Sequence, residues 1–439
     1  MKPVYIGILG LGTVGGGAVK VLKRNAKEIS RRAGRDIEVI CASARDLSKP
    51  RGGSTEGIKL TTDPFEVVNH PDITIVVELI GGTDVARELV MRAIAQGKHV
   101  VTANKALIAK HGNEIFAAAS AKGVMVAFEA AVAGGIPVIK AIREGLAGNR
   151  IQWLAGIING TGNFILTEMR DKGREFEEVL AEAQALGYAE ADPTFDVEGI
   201  DAAHKLTILA SIAFGIPLQF ERAYTEGITK ITREDVQYAE ELGYRIKHLG
   251  IARRTEQGIE LRVHPTLIPH KRLIANVDGV MNAVLVYGDA VGPTLYYGAG
   301  AGAEPTASAV VADIVDVVRT LTADPENRVP HLAFQPDAMS DLPILPIEEI
   351  ETAYYLRMHA ADRPGVLADI TRILGDQGIS IEAILQKESA PEAPSVPIIM
   401  LTHRLRERQM IEAIRRIEAL DAIFGAVTRI RVEALSVVR

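Results

Sequence analysis

Short, nearly unbroken apolar runs alternate with helical-period segments along the first 130 residues. The runs cover residues 4–9, 37–42, 58–61, 73–80, 99–103 and 124–129; helical spacing follows residue 13 and returns at 85–96 and 113–122. Strands this apolar have both faces covered, and strands separated by helices are joined by crossovers. The pattern therefore predicts an α/β domain with a parallel sheet over residues 1–130.

The pattern changes after residue 130. Gly134-Gly135-Ile136-Pro137 leads into an amphipathic helix ending at Leu146, followed by a strand at 151–158 and helices over about 164–187 and 199–214. Alternating segments at 245–254, 260–267, 281–286 and 294–297 read as antiparallel strands. The run from Gly298 to Pro305 opens a helix at 306–321, and the chain is expected to return to the first domain near 300–323. This predicts an α+β domain over 131–323. Residues 324–350, rich in proline and acidic side chains, read as a linker. The last segment, 351–439, has the order strand (354–360), helix (364–374), strands (380–387, 396–403), helix (407–420) and strand (427–432). That is a βαββαβ, ferredoxin-like plan, expected to fold around its own core.

A chain of 439 residues, 47% of them hydrophobic, is too long for one ordinary domain and can build several cores. Its net charge of −7 argues against nucleic-acid or anionic-membrane partners. The single cysteine, Cys41, lies in an apolar strand and reads as a buried thiol with no internal disulfide. The chain enters a strand at once and holds no apolar run of membrane-spanning length, so a cytoplasmic location is expected.

The first chemical signal is Gly10-x-Gly12-x-x-Gly15 between strand and helix, the fingerprint of a dinucleotide pyrophosphate held at a helix N-terminus. Thr13 and Val14, inside that turn, count as cofactor residues, as do Thr102 at a later strand end and Gly302 ahead of the returning helix. Arg45, after the second strand, suits the 2′-phosphate of NADP, while the adjacent Asp46 keeps NAD open. Lys105 follows Val100-Val101-Thr102-Ala103-Asn104 at the carboxyl edge of the sheet, where it is either a site residue or a solvated charge.

Residues 187–205 carry Glu190, Asp192, Asp196, Glu198 and Asp201 ahead of Lys205. Asp201 and Lys205 are four apart, on one helix face. As a surface pair they would contribute only about 0.3–0.5 kcal/mol. The helix continues apolar almost all round, however, and a buried pair is costly unless it has a function. His204 reads as a core or supporting group. Glu129, at a strand end before a turn rich in carbonyls, has the ligand types of a hard cation, though a plain strand-to-helix connection gives the same pattern.

Together the motifs resemble homoserine dehydrogenase across essentially the whole chain: GxGxxG, VVTANK at 100–105, FEAAVAGGIP at 128–137, NGTGNF at 159–164 and GYAEADPTFDVEGIDAAHK at 187–205. The last segment, with Asp362-Arg363-Pro364-Gly365-Val366-Leu367 at a strand-to-helix turn, resembles an ACT domain. The resemblance implies a Rossmann-type sheet, an α+β substrate and dimerisation domain, and a C-terminal ferredoxin-like ACT domain. It implies reversible, NAD(P)-dependent interconversion of L-aspartate 4-semialdehyde and L-homoserine, on the way to threonine, methionine and isoleucine. It implies that Lys205 is the main proton donor and acceptor and that Lys105 contacts substrate and nicotinamide. Glu190 and Asp201 would hold the substrate, with Asp196 nearby. It implies a monovalent cation such as sodium at Glu129 and the carbonyls of Val132, Gly134 and Ile136, and an amino-acid effector, threonine, at the ACT domain. Either of the two smaller sheets could pair across a two-fold axis, so a homodimer or tetramer is expected.

Two alternatives have specific counter-signals. A phosphorylating semialdehyde dehydrogenase needs a nucleophilic thiol, and Cys41 is inside a strand. An amino-acid-responsive regulator has no use for Asp201 and Lys205, and the chain lacks a basic DNA-binding element.

Overall fold

In the computed structural model the described residues are 2–49, 55–325, 328–387 and 395–435. Parts of the expected linker (326–327) and of the C-terminal segment (388–394, 436–439) lie outside them. The first sheet joins β1 (Val4–Leu9), β2 (Ile37–Ser43), β3 (Lys59–Thr61), β4 (Ile75–Glu78), β5 (His99–Thr102) and β6 (Val126–Ala127), all parallel, in the order β3-β2-β1-β4-β5-β6. Helices α1 (Thr13–Arg24), α2 (Ala26–Ala33), α3 (Pro64–Asn69), α4 (Asp84–Ala95) and α5 (Lys105–Lys122) make the connections. The order runs outward in both directions from β1, so the carboxyl ends of β1 and β4 flank the switch point where such sheets bind ligands. Cys41 is fully buried and unpaired.

Next come α6 (Val138–Lys140), β7 (Ile151–Ile157), α7 (Gly160–Lys172), α8 (Phe176–Ala185), α9 (Thr194–Val197), α10 (Ile200–Phe214), β8 (Tyr224–Thr225) and α11 (Arg233–Glu241). They are followed by β9 (Tyr244–Arg254), β10 (Ile259–Pro269), β11 (Met281–Gly288), β12 (Gly292–Ala299) and α12 (Ala303–Thr320). The stretch read as helical over 164–187 is two helices, parted where Gly173 takes φ +62. The chain does return near residue 303: Val310, Ile314 and Val317 of α12 share a core with Ile6, Ile8 and Ala18. Gly17 permits that approach, since a Cβ there would lie 2.6 Å from the Ala303 carbonyl oxygen.

The C-terminal segment forms β13 (Glu351–Ala360), α13 (Val366–Asp376), β14 (Ile381–Gln386), β15 (Val396–Thr402), β16 (Leu405–Arg406), α14 (Glu407–Glu418) and β17 (Ile423–Val432). The ferredoxin-like order is as expected, and the unit has a core of its own. Its sheet continues the middle sheet in one path, β12-β11-β7-β9-β10-β17-β13-β15-β14, through a short parallel junction of Thr266 with Arg431 and Leu267 with Val432. One face of β13 packs on α13 and α14 (Tyr354, Leu356, Ile370, Ile373, Met410, Ile417). The other face shares a core with the middle domain (Tyr355, Ile399, Ile430 with Phe164, Val179, Val236). The run Tyr354-Tyr355-Leu356 is apolar on both faces, the mark of a strand covered on both sides. The stretch read as a linker is also tied down. Leu345 N–H donates to the Ile259 carbonyl (2.8 Å), His331 accepts from Val126 N–H (3.1 Å), and its ring stacks on Phe116 at 4.9 Å.

Candidate active site

The glycine turn after β1 opens a cleft of about 1190 Å³ at the switch point. Gly10 (φ +95) makes the turn, and its N–H donates to the Ser43 carbonyl at 3.1 Å. A Cβ on Gly15 would lie 2.0 Å from the Gly10 carbonyl oxygen, so only glycine lets α1 start this close to the strand. Gly12, at the N-cap of α1, faces open space, and α1 has neither a capping side chain nor an acidic residue in its first turn. The N–H groups at this helix start and the open cradle in front of them fit a pyrophosphate.

Gly10, Gly12, Thr13, Arg45, Lys49, Ala303 and Glu304 line this cleft. Asp46 lines it too, but its Oδ1 is held in a local turn by Ser48 N–H (2.9 Å) and hydroxyl (2.6 Å). Gly302, in front of α12, takes φ +119 and is the N-cap of that helix. Val14, in the first turn of α1, packs half-buried against the core that α1 shares with α12. Thr102 is fully buried, with its hydroxyl donated to Glu78 Oε2 at 2.6 Å.

Lys105 is the first residue of α5, which starts eight residues before its expected position because Ala106, Ala109 and Gly112 blur the helical period. Asn104 caps the helix by accepting from Leu107 N–H (3.1 Å) and donates to the Gly82 carbonyl (2.6 Å). The start of α5 meets the start of α10. Asp201 Oδ1 lies 2.9 Å from Lys105 Nζ, and Asp201 Oδ2 lies 2.7 Å from Lys205 Nζ. Lys205 also donates to the Ile158 carbonyl (2.7 Å). Asn159 donates to both Asp201 (2.9 Å) and Asp196 (2.7 Å). The constellation read from 187–205 is thereby joined to Lys105 from the first domain. Glu190 is exposed near this group and adds to the negative field at Lys105. Phe195 stands 5.7 Å from Lys105 Nζ.

The two lysines are pushed apart in charge. Burial opposes the charged form of Lys105, but Asp201, Asp196 and Glu190 outweigh it and hold its pKa above the ordinary lysine value. Lys205 is more deeply buried; desolvation, with the Lys105 cation, overcomes Asp201 and lowers its pKa. Burial alone would raise Asp201, yet the two lysines keep it ionised far below the usual carboxylate range. Asp196 is raised, chiefly by burial. Opposite shifts in adjacent, ion-paired groups make this cluster a candidate proton-transfer site.

Family models described as homoserine dehydrogenase match residues 137–315, and as homoserine dehydrogenase, NAD binding domain, residues 10–129; an ACT domain model matches 354–422. The chain is 71% identical over 437 residues to a homoserine dehydrogenase of Pseudomonas aeruginosa, covering 99% of this chain and 100% of that one. The chain belongs to the homoserine dehydrogenase family. A crystal structure of a homoserine dehydrogenase from Thiobacillus denitrificans superposes with TM-score 0.94 at 72% identity, covering 99% of both chains. A hyperthermophilic archaeal homoserine dehydrogenase in complex with NADPH has TM-score 0.60 and 25% identity, covering 72% of this chain and 98% of its own. The protein is thus a homoserine dehydrogenase, an oxidoreductase of the CH–OH group with an NAD(P)-type binding domain and an ACT domain.

Two residues of this homoserine dehydrogenase site escaped the sequence reading. Glu78, fully buried at the end of β4, accepts from Thr102 and from Ile80 N–H (2.9 Å) and Gly81 N–H (3.2 Å); burial raises its pKa. It ties the cleft loop to the strand that presents Lys105. A lone acid inside the apolar run ITIVVELI was the available signal. Asn159 was visible only as part of NGTGNF. His204 is buried between Phe195 and Phe220, stacked at 4.2 Å on the latter, and burial brings it down to about 4. That is a packing role.

Glu129 begins a 3-10 turn and does not extend β6. Its carboxylate oxygens accept from Ile139 and Lys140 N–H (2.8 Å each), and burial raises its pKa to about 7. Ala133 (φ 53) and Gly134 (φ 51) follow in the left-handed region, turning the intervening backbone. Among the described residues, the Val132 and Gly134 carbonyls accept no hydrogen bond, while the Ile136 carbonyl takes one from Val138 N–H (2.8 Å). A buried carboxylate touching only backbone donors, beside free carbonyls, has the chemistry of a small-cation site.

Proposed function

We propose that the enzyme reversibly reduces L-aspartate 4-semialdehyde to L-homoserine in threonine, methionine and isoleucine biosynthesis, with NADP as its preferred coenzyme. The carrying observation is Asp201 ionised between two lysines of opposite pKa shift. NADPH, when bound, supplies the hydride. Lys205 Nζ gives its proton to the oxygen of the aldehyde, and in the reverse direction takes the hydroxyl proton of homoserine. Lys105, held charged, orients the same oxygen and stabilises its developing negative charge. Asp201 fixes both ammonium groups and, with Glu190 and the adjacent Asp196, draws the substrate's own ammonium.

Arg45 and Lys49 bring positive charge to the side of the cleft beyond β2, and Asp46 is engaged in its own turn, which supports a 2′-phosphate there. Glu129 with the Val132, Gly134 and Ile136 carbonyls would hold a monovalent cation such as sodium, placing a charge under the loop that joins the domains. We assign cofactor binding to 1–130, substrate binding to 131–323, the connection to 324–350 and threonine sensing to 351–439. There Gly365 (φ +94) starts α13 next to Asp362-Arg363-Pro364. Among the described residues, strands β12 and β14 stand at the two ends of the long sheet, each paired on one side only, which supports a homodimer or tetramer. No described helix is long and apolar enough to cross a membrane, in keeping with a cytoplasmic enzyme.

The test is purified protein with NADPH and aspartate semialdehyde, followed at the nicotinamide absorbance, then repeated with NADH and with threonine. Absence of turnover with both nucleotides would overturn the assignment; equal efficiency with both would overturn the coenzyme preference.

A further inference from the structure

The segment 226–229 touches both the C-terminal module and the start of the catalytic helix. On one side, Glu226 Oε2 accepts from Arg431 Nη1 of β17 at 2.8 Å and from the Tyr224 hydroxyl at 2.7 Å, with Arg429 Nη2 at 3.7 Å. Arg431, fully buried, is itself clamped by Glu407 (Nε to Oε2, 2.9 Å) and lies over the Tyr224 ring.

On the other side, the Glu226 carbonyl accepts from His248 Nε2 at 2.9 Å. That imidazole packs on Gly199, the N-cap of α10; a Cβ on Gly199 (φ +82) would stand 3.0 Å from His248 Cε1. Ile228 N–H donates to the Val197 carbonyl (2.9 Å), and the Thr229 hydroxyl to Glu198 Oε1 (3.0 Å). Gly227 presses on the same stretch: a Cβ there would lie 2.4 Å from Glu198 Oε2 and 2.7 Å from the Val197 carbonyl oxygen. Residues 197–199 lead directly into Asp201, and Asp196 stands one residue before them. The site therefore rests on a segment whose only bulky charged anchor, Glu226, is gripped by two arginines from the far end of the chain.

We propose that Glu226 is a positioning residue for the reaction: held by Arg431 and Arg429, it fixes the segment against which the start of α10, and with it Asp201, is set. This rests on the reading of Asp201 and Lys205 as the proton-transfer site. The role of Glu226 is exerted through residues 197–199. Small displacements of a reacting group cost large factors in rate, so loss of the anchor falls on kcat, while the distant cofactor cleft keeps its affinity.

The full-length enzyme is measured as Glu226→Gln, Gly227→Ala and Arg357→Lys. Gly227→Ala leaves the ion pairs intact and pushes Val197–Glu198 directly. Arg357→Lys loosens the same module at α11, where Arg357 Nε binds Asp235 Oδ1 at 2.6 Å. Glu226→Gln and Gly227→Ala are expected to lower kcat by at least about tenfold with KM for NADPH within about twofold, and Glu226→Asp to recover part of the loss. Arg357→Lys is expected to lower the melting temperature while leaving kcat within about twofold. A folded Glu226→Gln with wild-type kcat overturns the proposal, as does an equal fall in kcat for Arg357→Lys at matched loss of melting temperature. If Glu226→Gln does not fold, Gly227→Ala decides on the same criterion. Lys205→Met separates the two readings: if it keeps turnover, the proton-transfer assignment falls and this proposal with it. If it is inactive and Glu226→Gln is not slowed, only the positioning role falls.

Discussion

Arg262 and Glu433, 171 residues apart in the chain, meet side chain to side chain at 2.5 Å, the arginine with no exposed surface and the glutamate 2% exposed. This contact stitches β10 of the middle domain to the residue just past β17. Burial would raise Glu433; Arg262 and Arg253 overcome it and bring it down to about 2. Its folded pKa is depressed from the ordinary 4.5, so its stabilisation is present above about pH 4.5 and is lost as pH falls toward 2.

Cutting the chain within 325–350 is therefore expected not to leave a self-sufficient catalytic unit. It bares the edge of β10, the apolar face shared with Tyr355 and Ile430, and the Arg262 guanidinium. The expected product is aggregated or poorly folded, and Glu433→Ala in the full chain is expected to cost about 3–5 kcal/mol, the scale for breaking a buried pair. Urea titration of the variant and size-exclusion of the fragment measure both. A monodisperse fragment with full activity would show the module to be dispensable.

Arg45 and Lys49 reach the coenzyme cleft from the loop after β2. Arg45→Ala is expected to weaken NADP by about 1.5–3 kcal/mol, the range for a charge-assisted hydrogen bond, and to leave NAD nearly unchanged. Titration of both nucleotides against the variant decides it. Equal losses would show that Arg45 does not read the 2′-phosphate.

The glycine turn and the Asp201/Lys205 pair were legible because local sequence dictates them: Gly15 is required by a backbone contact five residues away, and the pair by one helical turn. The antiparallel hairpins were legible from alternation. What the sequence hid depends on long-range approach. Nothing near Lys105 announces that Asp201 will meet it, since the two lie on different domains. The union of β10 with β17 was hidden because a βαββαβ pattern implies its own sheet and does not say whether an edge strand is covered. Two signals were present and unread: Arg357, Arg429 and Arg431 inside otherwise apolar or alternating strands call for buried carboxylate partners, and Thr232-x-x-Asp235 is a capping box announcing α11.

Glu129 gives a test of the cation. Replacement by Gln keeps the size but turns an amide N–H₂ toward the Ile139 and Lys140 N–H donors, costing about 1–3 kcal/mol for the unmet bond. Beyond that loss, sodium is expected to raise the melting temperature of the wild-type enzyme relative to a bulky tetraalkylammonium salt at equal ionic strength, and Glu129→Gln to lose the difference. The same sodium effect in both proteins would place the ion elsewhere.

The opposed shifts of Lys105 and Lys205 fix the sign of the pH dependence. With Lys205 as the proposed proton acceptor, homoserine oxidation needs it neutral, so the rate is expected to rise as pH passes the Lys205 pKa. Burial and Lys105 bring that pKa below the ordinary 10.5, so the inflection falls below 10.5. Aldehyde reduction needs the protonated lysine and declines across the same range. Lys205→Met is expected to lower kcat at least about 100-fold in both directions, the scale for a positioned acid–base group, with little change in cofactor affinity. Lys105→Met removes the neighbouring positive charge and leaves Asp201 to Lys205 alone; both changes favour the charged form of Lys205, so the inflection moves to higher pH. Because the three groups titrate together, the observed value belongs to the trio, and the direction of its movement is the diagnostic. Profiles of kcat/KM against pH in both directions measure it. An inflection that stays in place or moves down in Lys105→Met would mean that the titrating group in the profile is not Lys205.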